Sequence, residues 1–96
     1  MSPINKKKLR LVRTKLDKLD NQLLQLIKER TKLVNEVLKL KKLKKEIIDK
    51  KRINFILKKI KIKSQKLKID PRITNRIWKN MIWSYIDYEK RNFKKK

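Results

Sequence analysis

From Leu9 to Leu40 the apolar residues recur at alternating steps of three and four: Leu9, Val12, Leu16, Leu19, Leu23, Leu26, then Leu33, Val37 and Leu40. Arg30 takes the seam position between Leu26 and Leu33. This is a heptad pattern, the stripe that one long helix buries against partner helices. No proline or glycine interrupts it, so it predicts a single helix from about Lys6 to about Leu43. At 1.5 Å per residue such a helix is roughly 55 Å long, whereas a compact chain of this size has a radius of gyration of about 13 Å. The helix overshoots any core the chain can build alone, and its seam needs a partner chain. Arg30 sharpens the constraint, because Leu26, Ile27, Leu33 and Val34 surround it. A buried, unpaired guanidinium costs several kcal/mol, so an anion must meet it, either a protein carboxylate or a bound ligand.

The rest of the chain reads as two shorter helices. A lysine-rich connector (Lys41, Lys42, Lys44, Lys45) is followed by Asp49, a good cap or first-turn acid for helix two. Ile53, Ile56, Leu57 and Ile60 then keep helical spacing, and the stretch from Lys63 to Ile69 reads as the second turn. Asp70-Pro71 is a cap followed by proline at the first helical position, a strong start signal for helix three. Ile73, Ile77, Met81, Ile82, Tyr85, Ile86 and Glu89 then fall near one face. No strand alternation, internal repeat or linker is present. The expectation is one all-α domain over residues 1–96, three helices per chain with one very long, in which 1–5 and 94–96 are frayed.

The residues that are missing narrow the chemistry. The 96-residue chain has no cysteine, no histidine and no glycine. Thiolate and disulfide chemistry, the usual general base and the glycine-rich phosphate loops are therefore excluded. Nine acids remain, and no cofactor or metal is implied. An enzyme built from this set works with cations and hydrogen-bonding groups. No stretch of about 18 apolar residues suggests a membrane span, and no secretory pattern is seen, so cytoplasm is the expected compartment.

The net charge of +23 would ordinarily direct attention to nucleic acid. Here it is discounted. The chain lacks alanine as well as glycine and is crowded with Lys, Ile and Asn, the mark of an AT-rich coding sequence in which lysine accumulates at tolerant exposed sites. Lysines are spread along every segment. The informative cations are the seven arginines, of which Arg10, Arg72 and Arg76 read as surface residues. Trp78 and Trp83 read as packing residues.

Spacing groups the remaining polar residues. Arg30 and Lys41 are eleven apart and share a helix face. Arg13 is seventeen residues before Arg30, rotated roughly 100° away. It therefore reaches such a pocket more readily from another subunit. Asp49 and Arg52 share the first turn of helix two, and Tyr85 and Glu89 share a face of helix three. Each position has a plainer explanation: an interhelical salt bridge or register-setting residue for Arg30, a solvated lysine for Lys41, a helix cap for Asp49, a surface charge for Arg52, an ion pair with a lysine or with Arg91 for Glu89. Jointly they suit a small dicarboxylate, since the guanidinium fork binds carboxylates bidentately.

Taken together these residues resemble the all-helical chorismate mutase family, over about Leu9 to Phe93. The segments that carry the resemblance run from Leu11-Val12-Arg13 to Asp20, from Leu23-Leu24 to Glu29-Arg30, from Val37 to Lys41, and Asp49-Lys50-Lys51-Arg52. The resemblance implies an intertwined homodimer with two equivalent sites and a role in aromatic amino-acid biosynthesis. Arg30 and Arg52 would clamp substrate carboxylates, joined by Arg13 from the other subunit. Lys41 would bind a carboxylate and the ether oxygen whose bond breaks, and Asp49 the ring hydroxyl. Glu89 falls where the family has Gln, sometimes Glu, on the same ether oxygen. Lys41, Glu89 and Arg30 would be the catalytic residues.

Two positions depart from the family pattern. Ile53 stands where many members carry a second acid, and Tyr85 where a small hydroxyl residue is frequent. Together with the aromatic-rich run Met81 to Glu89, they look more like the isochorismate pyruvate lyase branch, which forms salicylate and pyruvate. The alternative of a different class is a basic helical nucleic-acid-binding dimer. It accounts for the charge but not for an arginine within an apolar seam.

Overall fold

The structure, a computed structural model, describes residues 1–95. The fraying expected at Lys96 lies outside the described residues. Three helices form: α1 (Pro3–Leu40), α2 (Lys50–Lys66) and α3 (Pro71–Asn92), with a 3₁₀ turn at Lys44–Ile47 between α1 and α2. No strand occurs among the described residues, as the sequence led one to expect.

Helix α1 starts and stops three residues earlier than its apolar pattern suggests. Pro3 opens it, and Ser2 caps it, its hydroxyl accepting from the Asn5 amide at 3.1 Å. Proline costs nothing at the first position, whose amide has no helical partner. At the other end Lys41 closes back on the Leu38 carbonyl at 3.1 Å, and Leu43 is extended. Another helical turn would set Lys41 and Lys45 four apart, a repulsive pair. The 3₁₀ turn forms instead. The Glu46 carboxylate accepts from the Leu43 amide at 2.9 Å, and Ile47 enters the core.

The two later helices are capped by the acids that announced them. Asp49 accepts from the Arg52 amide at 3.0 Å and Asp70 from the Arg72 amide at 2.9 Å, with Pro71 in the first turn of α3. Helix α2 runs to Lys66, further than the turn expected from Lys63, and ends in a Schellman motif. The Ile69 amide bonds the Ser64 carbonyl at 2.9 Å and the Lys68 amide bonds the Gln65 carbonyl at 3.2 Å. That motif needs a left-handed residue. With no glycine in the chain, Lys68 takes it, at φ 58°.

The chain divides into two compact units, the first ending at Leu33 and the second beginning at Val34. The first unit is helical from Pro3 onward, and its apolar stripe is uncovered in a single chain: Leu23 is 54% exposed and Leu26 59%. The second unit has a small core of Leu38, Ile47, Ile82 and Ile86, flanked by Ile48, Ile53, Ile56, Leu57 and Phe93. Where α2 and α3 close on each other, the buried Ser64 and Thr74 hydroxyls meet at 2.7 Å, and Ser64 donates to the Ile60 carbonyl at 2.7 Å. A satisfied polar pair inside an otherwise apolar contact sets which turns face one another.

Candidate functional site

Three features of the fold bring the polar residues of the second unit together. Lys41 is the first residue beyond α1, tied back to Leu38, whose own side chain is buried in the core. Glu89 lies on α3 three residues after Ile86 and seven after Ile82, so it shares their inward face. The Lys41 ammonium donates to both Glu89 oxygens, at 3.2 and 3.4 Å. The side chains are 17% and 8% exposed. A carboxylate this deep needs a partner, since an unpaired buried charge is strongly destabilising. Lys41 is that partner, and it keeps one side toward solvent.

Asp49 lines the same groove as Lys41. Lys41, Glu46, Ile48, Asp49, Lys50 and Lys51 line one open groove at the start of α2. Asp49 is engaged as the α2 cap through one oxygen, which leaves its second oxygen for another donor. Arg52, on the same first turn, lies on the exposed surface of α2 with its guanidinium 5.4 Å from the centre of the Phe55 ring. Lys59 approaches the same ring at 5.7 Å. Arg52 is not a member of the groove lining. Ile53 is half-buried and packs against the core, so it presents no acid where a second one was a family feature.

Tyr85 is half-buried on α3, its ring edge-on to Tyr88 with centroids 6.5 Å apart and planes at 88°. The Tyr88 hydroxyl donates to the Asn35 side-chain carbonyl at 3.0 Å. Neither Tyr88 nor Asn35 stands out in the sequence. Their partners lie 53 residues apart, and only the pairing gives them meaning. Arg91, one candidate for an ion pair with Glu89, pairs instead with Asp87 at 2.9 Å, four residues earlier on the same helix.

Arg30 and Arg13 belong to α1 within the first unit. Arg30 is half-buried, the more enclosed of the two, while Arg13 is exposed.

The second-unit arrangement has a definite chemical capability. The Lys41 ammonium, backed by the buried Glu89 carboxylate, lines an opening that further lysines and an aspartate with a free oxygen also line. An oxygen atom of a ligand that accumulates negative charge finds a cation there, and an anionic ligand finds a positive rim. Among the described residues no helix is long and apolar enough to cross a membrane.

Comparison with known proteins gives the arrangement its context. A family model described as chorismate mutase type II matches residues 12–90. No curated protein matches the chain, and no solved structure does. The isochorismate pyruvate lyase branch is not singled out by this match. The matched span contains both α2 and almost all of α3, and with them Lys41, Asp49, Arg52 and Glu89. Matched over most of its length, the chain belongs to the type II chorismate mutase family.

Proposed function

We propose that the protein is a chorismate mutase that converts chorismate to prephenate, acting as a cytoplasmic homodimer in aromatic amino-acid biosynthesis. The observation that carries this is the part-buried Lys41–Glu89 pair, whose lysine lines an open, lysine-rich groove within the span that matches the family. In the reaction an ether C–O bond breaks while a C–C bond forms in the same cyclic step. No proton is transferred and no covalent intermediate arises. The catalyst has to hold a compact conformer and stabilise charge on the ether oxygen. A million-fold acceleration corresponds to about 8 kcal/mol of differential stabilisation, which a directed cation and conformational restriction supply without histidine or cysteine.

In this reading Lys41 donates to the ether oxygen and one substrate carboxylate. Glu89 donates to the same oxygen when protonated, since an ionised carboxylate only accepts. Asp49 receives the ring hydroxyl through the oxygen its cap role leaves over. Arg52 leaves the Phe55 ring to bind a carboxylate. That release is inexpensive, because an exposed cation–π contact contributes only about 0.5–1 kcal/mol. Ile53 and Tyr85 shape the apolar surround. Arg30 and, from the other subunit, Arg13 supply the further cations. The uncovered apolar stripe of α1 supports the dimer, since burying apolar surface contributes about 25 cal/mol per Å².

The test is direct. The purified protein is incubated with chorismate and, separately, with isochorismate, and the products are identified. Prephenate from chorismate supports the reading. Salicylate and pyruvate from isochorismate, without prephenate from chorismate, would move the protein to the lyase activity. No turnover of either, together with steeply salt-dependent DNA binding, would favour a nucleic-acid role.

A further inference from the structure

We propose that Tyr88 is a positioning residue that aims the Lys41 ammonium, by anchoring the last turns of α3 to α1 through its hydrogen bond to Asn35. The inference rests on the reading of Lys41 and Glu89 as groups that meet the substrate. It concerns residues that no part of that reading uses.

Tyr88 bonds to Asn35 at 3.0 Å and Lys41 to Glu89 at 3.2 Å, each joining the end of α1 to α3. Asn35 and Lys41 are six residues apart, about 9 Å of helical rise. Tyr88 and Glu89 are consecutive. Residues well separated on one element therefore meet neighbours on the other, with Leu38 buried between them against Ile82 and Ile86. Two bonds so placed fix an angle as well as a position. A single bond at Glu89 leaves rotation about that point, which a second bond at Tyr88 limits.

Tyr88 is suited to remove that freedom. Its ring is held edge-on by Tyr85 at 6.5 Å and capped by the Arg91 guanidinium at 6.0 Å, and Arg91 is itself fixed to Asp87. The Asn92 side chain donates to the Tyr88 carbonyl at 2.8 Å. Ring, hydroxyl and backbone are thus each held by a different neighbour. Tyr85 leans on the same ring and Glu89 follows Tyr88 in the chain, so one residue adjoins both α3 positions assigned to the site.

The consequence concerns turnover more than binding. A misplaced catalytic group loses transition-state stabilisation while ground-state contacts made elsewhere persist. Tyr88→Phe keeps the ring and loses only the bond to Asn35. We expect kcat for chorismate to fall about tenfold with KM within about twofold of native. Asn35→Ala should reproduce the effect, and serves if Tyr88→Phe does not fold. Asn35→Asp, which still accepts from the hydroxyl, should restore kcat. A second readout is independent of activity: the Glu89 ¹³Cδ and Lys41 ¹⁵Nζ resonances should move in Tyr88→Phe. Native kcat in both Tyr88→Phe and Asn35→Ala, or unmoved resonances, would overturn the proposal. If the native protein does not convert chorismate, the functional reading falls, and the resonances alone decide whether Tyr88 positions the pair.

Discussion

The Lys41 ammonium lies 3.2 Å from a Glu89 carboxylate oxygen, although the two residues are 48 positions apart. One closes the end of the longest helix and the other sits on the buried face of the last, beside the core isoleucines. Each answers the other's electrostatic need, and together they hold a cation, backed by a buried carboxylate, at the edge of a groove. In a type II chorismate mutase family member the pair is the natural place to begin testing.

Lys41→Ala should lower kcat by at least about a hundredfold, the scale seen when one donor to a developing oxyanion is removed. The substitution leaves Glu89 in the interior without its cation, so circular dichroism must first show that the helices persist. Steady-state rates with chorismate then decide. Near-native turnover in a folded variant removes Lys41 from the mechanism.

Glu89 differs from glutamine in one respect that can be measured. Only its protonated form donates a hydrogen bond, whereas a glutamine amide donates at any pH. Glu89→Gln should therefore keep turning over chorismate, at a rate no lower than the native protein's. A folded Glu89→Gln variant with kcat reduced by about a hundredfold or more would show that Glu89 does not act as a donor.

Arg13 and Arg30 allow a test of the shared site. If Arg13 serves the other subunit's site, Arg13→Ala and Arg30→Ala homodimers should each be inactive. A mixture allowed to exchange subunits would form heterodimers with one intact site of two. About a quarter of native activity per dimer pair is the statistical expectation for an equal mixture in which half the dimers are mixed and obligate pairing holds. Labelled subunits report the exchange, and no recovery after proven exchange would place Arg13 outside the site.

Lys68 offers a stability test remote from chemistry. It holds φ 58° at the end of α2, a conformation that costs a residue with a Cβ roughly 1–2 kcal/mol. Lys68→Gly relieves that cost and loosens the unfolded chain, so a net gain of up to about 1 kcal/mol is expected. Denaturant unfolding with an unchanged slope measures it. A loss of stability would mean that the lysine side chain contributes more than the backbone strain removes.

Much of the fold is written locally. The apolar periodicity of residues 9–40, the acids at Asp49 and Asp70 and the proline at Pro71 each act on residues within a turn or two, so sequence alone determined that three helices form and where two of them begin. Ser2-Pro3 carries the same cap-then-proline signal as Asp70-Pro71, and α1 accordingly starts at Pro3 rather than Lys6. Arg52 over Phe55, three residues on, is local too.

Tertiary structure decided the rest. The 3₁₀ turn at Lys44–Ile47 forms because Ile47 gains a place in a core made with Leu38 and α3. Lys68 turns left-handed because α2 must end where Ser64 meets Thr74. The choice of Lys41 rather than Arg91 as the partner of Glu89, and of Asn35 as the acceptor for Tyr88, depends on contacts 48 and 53 residues distant. Spacing along a helix specifies which side chains share a face. It carries no information about which other face will arrive opposite, because that is settled by burial of apolar surface across the whole unit.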